Sequence, residues 1–582
     1  MERMGKLNMA VSEATKRNWK KLNSGRRGKL LHGANKSFSG KKIYPAEYVT
    51  DPGSAAFLDK FTSLCRKYDI SRKDALFSLA LLILEKRKIL HKENVKKFLL
   101  EYPWKAEPSL MKLSIPSSQR DLPGLVYQSL LSEGEKNHSG AYYTPEDTVR
   151  KMLVSIEPGA GKLFLDPCCG SGSFLLSFDT EDPQLLYGCD KDPLAVFTAK
   201  LNLLCKYAHC DFTPQVYCCD FLEEKKLFSS LSFDFIVTNP PWGAEKNKKH
   251  NGRKENTFHL FYEKSCSLLK EYGRIIFLFP EAVLNIRSHK NLREFILTQT
   301  GLEKISFVSG SFASVMTKYI FTDSVKGKKN SSFLLEKDGE ALKMDIPEIL
   351  ENKDFLISFI RKEEAGIIKK MEERKVYDLS ESIFALGIVT GDNARKIKKT
   401  FEEGMEKIYT GKEICRYTLK KAENAVVYDP ENFQQCAKEE YYRAGEKLVY
   451  KFISRFPVFA YDPSGSLFLN SANILIPSIP GMRIKTVLAF LNSRLFRFYY
   501  DLKFADMKIL KSNLLTLPFP AAGEKCNKEM EKYVNDILAG NGETDETIQK
   551  IVYDCFGLDE KEIGIVEEYL EKISGEKKST GQ

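Results

Sequence analysis

The chain has 582 residues, too many for one hydrophobic core, and this length predicts about three domains. Hydrophobic residues make up 43% and charged residues 29%, which is ordinary for a soluble globular protein, and no apolar run is long enough to cross a membrane. The formal net charge is +11, and residues 1–50 carry most of it, with twelve Lys or Arg against three Glu. A basic arm on a nearly neutral body favours a polyanionic partner, although a solvated tail has the same composition.

The N-terminus leads into no signal peptide, and the thirteen cysteines form no C-x-x-C pair. We therefore expect a cytoplasmic protein with reduced thiols and no membrane association. One group of thiols resembles a metal-binding set, but its spacing matches no familiar zinc finger, and buried thiols on a helix and a strand are the simpler interpretation. We expect no metal at this group, which consists of Cys205, His209, Cys210, Cys218 and Cys219.

Residues 1–115 are predicted to form a basic helical region, a possible DNA-binding arm. The segment from Val11 to Leu22 indicates a capped basic helix and is weakly similar to the start of a helix-turn-helix module. Residues 55–100 have helical periodicity, with Ser71 as the candidate N-cap of one helix. A further helical segment is predicted at residues 125–131.

A helix start is predicted near residue 144. Thr144 is the candidate N-cap, Pro145 the first helical residue and Asp147 the acidic partner in a capping box, with the helix running to about Ile156. The exposed N–H groups at such a helix end provide a site for a carboxylate.

From Leu163 the sequence alternates between strand and helix patterns, which predicts an α/β fold with a doubly wound, Rossmann-like parallel sheet. Two later segments, 319–325 and 331–336, are predicted to form a closing hairpin. Predicted helices begin at Ser173 and span 194–207, 257–270 and 290–299. The predicted strands are 163–166, 185–190, 215–220, 233–239, 274–280 and 303–308.

The segment from Asp166 to Phe174 closes the first predicted strand and opens a helix. Its glycines, Gly170 and Gly172, allow a ligand to approach the backbone closely. The segment lacks the third glycine of a dinucleotide fingerprint and the lysine of a phosphate loop, which disfavours NAD and ATP. A cofactor with a cationic centre and no phosphates fits better, and Asp166 could face that charge.

Acidic side chains also follow the next two strands. Asp190 ends the second strand, about twenty residues beyond the glycines, where dinucleotide folds bind a ribose diol. Asp220 and Phe221 end the third strand and could accept a hydrogen bond from an adenine amino group and lie along its ring. S-adenosylmethionine contains a group for each of these side chains, so the sequence predicts it as cofactor.

The tetrapeptide Asn239-Pro240-Pro241-Trp242 follows the buried strand 233–239, at the edge where parallel strands deliver ligand-binding groups. Its prolines lack N–H groups and fix φ, so the carbonyls stay outside any ladder. The Asn239 Oδ1 and the Pro240 carbonyl could accept both hydrogens of an exocyclic amino group, and Trp242 could stack on a base. A Pro-Pro turn with a core tryptophan is the alternative interpretation.

The remaining chain divides into a charged connector with a helix, residues 337–378, a region of short strands, 379–520, and an acidic helical segment, 521–582. Within the middle region, residues 450–456 and 494–500 interleave aromatic side chains with Lys and Arg. Such a pattern suits a nucleic-acid surface, although part of it can be core.

In this order, the motifs resemble those of the gamma class of DNA amino-methyltransferases, over about residues 120–325. A looser likeness to type II enzymes of this class, with a mixed α/β target-recognition domain, continues to Pro520. The resemblance implies a methyltransferase domain at 116–336 and a recognition domain at 379–520. It places Phe261 near the cofactor adenine and Phe312 against the target base. The implied cofactor residues are Tyr143, Thr144, Pro145, Asp166, Pro167, Gly170, Gly172, Phe174, Asp190, Asp220, Phe221 and Phe261, and the implied catalytic residues are Asn239, Pro240, Pro241 and Trp242.

The resemblance implies methylation of adenine N6 in a base flipped out of duplex DNA. The chain would be the modification component of a restriction-modification system and a monomer, with any restriction endonuclease acting separately. Three alternatives stay open: a cytosine-N4 DNA methyltransferase, a protein glutamine-amide methyltransferase, and a non-catalytic DNA-binding specificity protein. The recognition sequence and the number of strands methylated do not follow from these motifs.

Overall fold

The computed structural model of the chain describes residues 49, 52–116, 121–131, 144–242, 249–250, 253–254, 257–308, 318–352, 354–504 and 508–579. The described residues fall into two compact units, one ending at Phe359 and the other beginning at Ile360. The predicted helix at 11–22 and the candidate site residues Tyr143 and Phe312 lie outside the described residues. Within the described part, no helix combines the length and apolar character that a membrane span requires.

Five helices precede the first strand among the described residues of the first unit. The predicted N-cap Ser71 is confirmed, because its hydroxyl accepts the Asp74 N–H at 3.2 Å. The N-cap prediction for Thr144 is wrong, since the last of these helices begins at Glu146 with Pro145 as its cap. Thr144 is instead buried and uses its hydroxyl in the site described below. The helices are α1 (Pro52–Lys67), α2 (Arg72–Lys86), α3 (Glu93–Leu100), α4 (Leu122–Leu130) and α5 (Glu146–Leu153).

A nine-stranded sheet organises the rest of the first unit, as the alternating pattern predicts. Its strands are β1 (Phe164–Asp166), β2 (Leu186–Asp190), β3 (Gln215–Cys218), β4 (Phe233–Thr238), β7 (Leu269–Pro280), β8 (Gly301–Val308), β9 (Tyr319–Val325), β10 (Ser332–Lys337) and β11 (Glu340–Asp345), and β5 (Lys249–His250) and β6 (Arg253–Lys254) form a separate pair. The helices between them are α6 (Ser173–Ser177), α7 (Pro193–Lys206), α8 (Thr257–Leu268), α9 (Lys290–Gln299) and α10 (Ile346–Glu351), with short 3-10 turns at Pro183–Leu185, Glu281–Leu284 and Arg287–His289.

The sheet order is β3-β2-β1-β4-β7-β9-β8-β10-β11, and the first five of these strands are parallel. Side chains alternate between two hydrophobic clusters on opposite faces, as Phe164 and Leu165 of β1 show. Helices cover both faces, which is the doubly wound architecture expected from the sequence. Strands β2 and β3 lie on one side of β1, and β4 and β7 lie on the other. The direction in which successive strands are added to the sheet therefore reverses beside β1.

The closing hairpin predicted from segments 319–325 and 331–336 is wrong. Strand β9 inserts between β7 and β8 and runs antiparallel to both. Strand β10 instead pairs in parallel with β8 and antiparallel with β11, which lies in the segment predicted as a connector. Every residue of β9 is buried. A strand in a local hairpin at the end of the sheet would have one open edge, whereas β9 has a neighbouring strand on each side.

The second unit contains two small sheets and a set of helices. One sheet has the order β12-β18-β15-β16 and the other β14-β13-β17. The strands are β12 (Ile383–Leu386), β13 (Glu406–Tyr409), β14 (Asn424–Val426), β15 (Lys447–Lys451), β16 (Phe459–Asp462), β17 (Leu467–Phe468) and β18 (Ala472–Ile476). The helices are α11 (Lys362–Glu373), α12 (Asn393–Lys396), α13 (Glu439–Tyr442), α14 (Ile484–Leu491), α15 (Arg494–Lys503), α16 (Lys511–Leu514), α17 (Glu524–Leu538), α18 (Asp545–Phe556) and α19 (Glu560–Ser579), with a 3-10 turn at Gly542–Thr544.

The aromatic and basic run at 494–500 does not present its rings at the surface. It forms α15, whose aromatic side chains are buried in the core of the second unit. Arg494 is neutralised there by Glu546 and by Glu567, whose carboxylate lies 3.0 Å away. In the companion run at 450–456, Tyr450 is likewise buried. The helical period of the aromatic residues in α15 serves packing, whereas Phe452 and Phe456 of the other run are half-buried.

Candidate active site

The candidate site lies at the carboxyl edge of the parallel strands, beside β1, where the strand order reverses. Strands β1 and β2 end at Asp166 and Asp190, and Asn239 directly follows β4. Because parallel strands end at the same edge, the fold brings together the side chains that the sequence predicts. Asp220 follows the neighbouring strand β3 by two residues.

The loop between β1 and α6 has an open outer face. Gly170 and Gly172 have φ of +52° and +92°, in the left-handed region that other residues rarely adopt. A Cβ atom added to Gly170 would meet nothing within 4 Å, so there is room for a ligand at this backbone. A Cβ on Gly172 would lie 3.4 Å from the Cβ of Ala199, so this glycine serves the packing against α7.

Asp166 is 1% exposed and is held by two hydrogen bonds to its Oδ1 atom. The Thr238 hydroxyl donates at 2.7 Å and the Cys168 N–H at 3.1 Å. Burial raises the pKa of Asp166 to about 7, against the opposing effect of these hydrogen bonds. Its carboxyl group is therefore poised to change its charge near neutral pH.

Asp190 fastens the glycine loop to the end of β2. Its Oδ2 accepts the Gly170 N–H at 3.0 Å, and its Oδ1 accepts the Asp192 N–H at 2.9 Å. Desolvation raises the pKa of this carboxyl group, while the two N–H donors lower it. Each carboxylate oxygen has a second lone pair, so these bonds leave capacity for a hydroxyl ligand.

Two phenylalanines that the sequence places in different motifs are in contact. The rings of Phe221 and Phe261 stack with centroids 5.6 Å apart and an angle of 21° between their planes. The ammonium group of Lys264 lies 4.9 Å from the Phe221 centroid and donates to the Phe221 carbonyl. The Asp220 Oδ1 accepts the Leu222 N–H at 3.0 Å, which orders the turn that presents Phe221.

The amide of Asn239 is fixed at one end and unsatisfied at the other. Its Nδ2 donates to the Thr144 hydroxyl at 3.2 Å, across 95 residues of sequence. Its Oδ1 is buried and accepts no hydrogen bond from any residue that the structure describes. An orphaned buried acceptor costs about 1–3 kcal/mol, so this oxygen is available to a ligand that donates an N–H.

The prolines and tryptophan of the tetrapeptide surround this amide. Pro240 is buried, and Pro241 and Trp242 are half-buried. The indole of Trp242 lies 6.1 Å from the ring of Tyr319 on β9, with the planes at 52°. Trp242 also packs against the hydrophobic clusters of both sheet faces, so it is partly a core residue, as the alternative interpretation expects.

Sequence reasoning missed three side chains of this region: Thr238, Asp121 and Asn202. Thr238 joins β4 to Asp166, and Asp121 and Asn202 bond to the glycine loop. Asp121 before Pro123 and Gly124 has the pattern of a helix N-cap, and it does cap α4. Nothing in the local sequence shows that the same carboxylate reaches a loop fifty residues away.

Two family models match the chain. Residues 118–308 match the N-6 DNA Methylase model, and residues 406–519 match the TaqI-like C-terminal specificity domain. The first match contains the glycine loop and Asn239, and the second lies within the unit that begins at Ile360.

Individual proteins show the same likeness. Type II methyltransferase M.VspI of Vibrio sp. (strain 343) is 30% identical over 207 residues, which are 33% of this chain and 49% of that protein. The type I restriction enzyme EcoEI methylase subunit of Escherichia coli is 30% identical over 205 residues, which are 31% of this chain and 41% of that protein. The chain thus spans about half or less of the length of these curated relatives.

One solved structure aligns with nearly the whole chain. The type IIL restriction-modification enzyme MmeI, determined in complex with DNA, covers 91% of this chain and 94% of its own, with a TM-score of 0.52. Sequence identity is 12%, so the likeness shows a shared fold.

Proposed function

Since residues 118–308 belong to the N-6 DNA methylase family and residues 406–519 are a TaqI-like specificity domain, we propose that the chain is a site-specific DNA methyltransferase. It transfers the methyl group of S-adenosylmethionine to N6 of adenine in duplex DNA. The observation that carries the proposal is the buried Asn239 Oδ1, which accepts no hydrogen bond within the described structure. A target amino group supplies the missing donor.

The residues at the strand ends fit S-adenosylmethionine. When bound, this cofactor supplies a methyl group on a positively charged sulfur that leaves as a neutral thioether. In our proposal Asp166 faces that charge, and Asp190 binds the ribose hydroxyls of the cofactor. Asp220 accepts a hydrogen bond from the amino group of the cofactor's adenine. Phe221 and Phe261, already stacked, form an apolar wall for the adenine ring. The space above Gly170 admits the ligand to the loop backbone.

The other predicted cofactor residues act through this loop and the segment before α5. Pro167 and Phe174 are buried around the loop, and Gly172 packs it on α7. Thr144 and Pro145 place the segment that follows Tyr143 beside Asn239. Tyr143 belongs to the cofactor site in our proposal, and Phe312 packs against the target base.

Asn239 and Pro240 orient and activate the target amine. Thr144 holds the amide nitrogen, so the Asn239 Oδ1 can accept one N–H of the flipped base while the Pro240 carbonyl accepts the other. These bonds strengthen as positive charge develops on the attacking nitrogen, and this favours the transition state. Asn239 and Pro240 would hold the amine toward the methyl group that S-adenosylmethionine would supply, and the methylated amine would release one proton to water. Pro241 stiffens the turn, and Trp242 stacks on the base.

The partition of the chain is part of the proposal. Residues 1–115 are a helical, basic region, 116–336 carry catalysis, 337–378 connect, 379–520 recognise the DNA sequence and 521–582 add a helical segment. The match to a specificity domain supports duplex DNA as the partner. We further propose a monomer that works in the cytoplasm beside a separate restriction endonuclease.

The test is methylation mapping in a bacterial host that lacks its own DNA methyltransferases. Long-read sequencing of genomic DNA should show modified adenine within one sequence motif when the wild-type chain is expressed. Asn239→Ala should abolish this signal, because it removes the amide acceptor, whereas Asn352→Ala, at an exposed asparagine, should preserve it.

Each other outcome contradicts a stated part of the proposal. Modified cytosine in place of adenine would overturn the N6 assignment and favour the cytosine-N4 alternative. Unmodified DNA from folded protein that binds S-adenosylmethionine would overturn the DNA substrate. Full activity of the Asn239→Ala variant would overturn the role of the tetrapeptide.

A further inference from the structure

A buried carboxylate outside the predicted site reaches the glycine loop from the helical layer. Asp121, at the start of α4, is 4% exposed. Its Oδ1 accepts the Gly124 N–H at 2.7 Å and the Asn202 amide at 2.6 Å. Its Oδ2 accepts the Ser171 hydroxyl at 2.8 Å. One carboxylate thereby joins α4, α7 and the loop after β1.

Ser171 is the residue of that loop between the two left-handed glycines. Besides the bond from its hydroxyl to Asp121, its carbonyl accepts the Asn202 amide at 2.9 Å. The preceding residue, Gly170, donates its N–H to Asp190 at 3.0 Å. The loop is therefore fixed by two carboxylates, Asp190 from the sheet and Asp121 from the helical layer.

The two sides of the loop differ in how closely they are packed. A Cβ atom on Gly124 would lie 2.3 Å from the Asp121 Oδ2 and 2.5 Å from the Ser171 Oγ, so the Asp121 side is filled. A Cβ on Gly170 would meet nothing within 4 Å. The open side is the one that a ligand can use, and the Asp121 network supports the loop without occupying it.

We propose that Asp121 is a positioning residue that sets the affinity for S-adenosylmethionine by holding Ser171, and with it the glycine loop, in its binding shape. The inference rests on the proposed function. Left-handed backbone persists only where its surroundings enforce it, and hydrogen bonds to a buried carboxylate are stronger than those between neutral groups. Without the carboxylate, the Ser171 hydroxyl, the Gly124 N–H and one Asn202 bond lose their acceptor, and the loop can relax before the cofactor binds.

The test compares cofactor affinity with turnover in the full chain. Asp121→Ala should raise the Kd for S-adenosylmethionine about tenfold or more, measured by calorimetry, and should lower kcat at saturating cofactor far less. Asp121→Asn, which keeps the shape and most of the hydrogen bonds, should recover most of the affinity. Ser171→Ala removes the hydroxyl alone and should give a smaller loss, and it replaces Asp121→Ala as the test if that variant does not fold.

A matched control separates positioning from general destabilisation. Ser78 is fully buried in α2, and its hydroxyl accepts the Glu107 N–H at 2.8 Å and donates to the Asp74 carbonyl at 2.7 Å. Ser78→Ala should lower Tm without changing the Kd. An unchanged Kd in folded Asp121→Ala, or in Ser171→Ala if only that variant folds, would overturn the inference, and so would a Ser78→Ala variant with an equal loss of affinity. A wild-type chain that binds no S-adenosylmethionine would overturn the proposed function itself.

Discussion

The side chain of Asn239 has one end of its amide bonded and the other end unsatisfied. The bond from its Nδ2 to the Thr144 hydroxyl fixes which end of the amide is the acceptor. The other end, Oδ1, is buried and has no donor within the described residues, so in the proposed reaction its desolvation would be complete before the base arrives. Such preorganisation lowers the reorganisation needed in the transition state.

The first prediction concerns this hydroxyl. Thr144→Ala should lower kcat about fivefold, because the amide loses the bond of about 1 kcal/mol that holds its orientation. Steady-state methylation assays at saturating DNA and cofactor would measure the change. Thr144→Ser retains the hydroxyl and should stay close to wild type. Equal loss in both variants would show that the methyl group, not the hydrogen bond, matters.

The second prediction follows from the buried carboxyl of Asp166, whose pKa is raised to about 7. Because the pKa is higher in the folded state than in the unfolded state, this group stabilises the folded protein at pH values below its unfolded-state pKa. That stabilisation is lost as the pH rises through 7. A positively charged cofactor favours the ionised form, so its affinity should rise with pH over the same range. Titrations between pH 6 and 8 would show weaker binding at the acidic end.

Asp166→Asn is the control for that titration. The amide keeps the size of the side chain and cannot ionise, so the pH dependence of cofactor affinity should become flatter and the apo protein more stable at neutral pH. A steep dependence that survives in this variant would assign it to another group.

The positions of single residues can be predicted where a general rule connects a local sequence pattern with a position in the fold. Asp166, Asp190 and Asn239 lie at one edge of the sheet because each ends or directly follows a parallel strand, and strand ends can be recognised from composition. Their site roles remain predictions. Thr144 looks like an N-cap by the same local rules, yet its hydroxyl is engaged by a residue far along the chain. The Asp121 contact with Ser171 is also long-range, and no local pattern encodes it.

At the scale of elements, periodicity predicts the helices and parallel strands well and the later pairing poorly. Helix α9 and strand β9 have the predicted bounds. The pairing of β9 between β7 and β8 depends on partners distant in sequence, so composition alone cannot give it. The local pattern of aromatic residues in α15 suits a surface for bases, but the rings are buried against partners such as α19, which the local sequence does not reveal.

The third prediction locates a phosphate-binding row on the second unit. The backbone of Ala425 on β14 pairs with Lys398 on one side and with Lys407 of β13 on the other. Residues that face each other across a sheet share one face, and both lysines are exposed. If the recognition domain contacts DNA here, replacing both with Ala should reduce the salt slope of DNA binding by about two.

The matched control uses two exposed lysines of the helical segment, Lys550 and Lys561. Their double replacement by Ala removes the same charge and should leave the slope unchanged. Equal slopes for both double variants would place the DNA contacts elsewhere. Binding isotherms over a range of salt concentrations provide the measurement.

At the scale of the whole molecule, the chain consists of two units with separate hydrophobic cores. The resemblance to a DNA amino-methyltransferase with a recognition domain is confirmed by the two family matches, one in each unit. Composition and charge favour a polyanionic partner, and the ordered motifs predict the resemblance that these matches confirm. The motifs cannot predict how much of each relative's length this chain covers.

The fourth prediction concerns how these units unfold. Lys447 and Asp462 form an ion pair of 2.6 Å in the second unit, with side chains 0% and 1% exposed. Asp462→Ala leaves a buried ammonium unpaired and should destabilise that unit by about 3–5 kcal/mol. S-adenosylmethionine at a hundred times its Kd should stabilise the first unit by about 2.7 kcal/mol.

Scanning calorimetry should therefore show two transitions that respond to different changes. The substitution should lower one Tm, and the cofactor should raise the other. The variant Lys561→Ala, at an exposed position, should move neither. A single transition that responds to both would contradict independent unfolding of the two cores.

The proline after Asn239 also protects the amide against ageing. Asparagine side chains deamidate when the next peptide nitrogen attacks the amide carbon and closes a succinimide ring. The nitrogen of Pro240 carries no hydrogen and is already tertiary, so that ring cannot form by the usual route. Asn541, which precedes Gly542, has no such protection. Peptide mapping after long incubation should find deamidation at Asn541 and an intact Asn239. The protein should therefore keep the Asn239 amide while an exposed asparagine is lost.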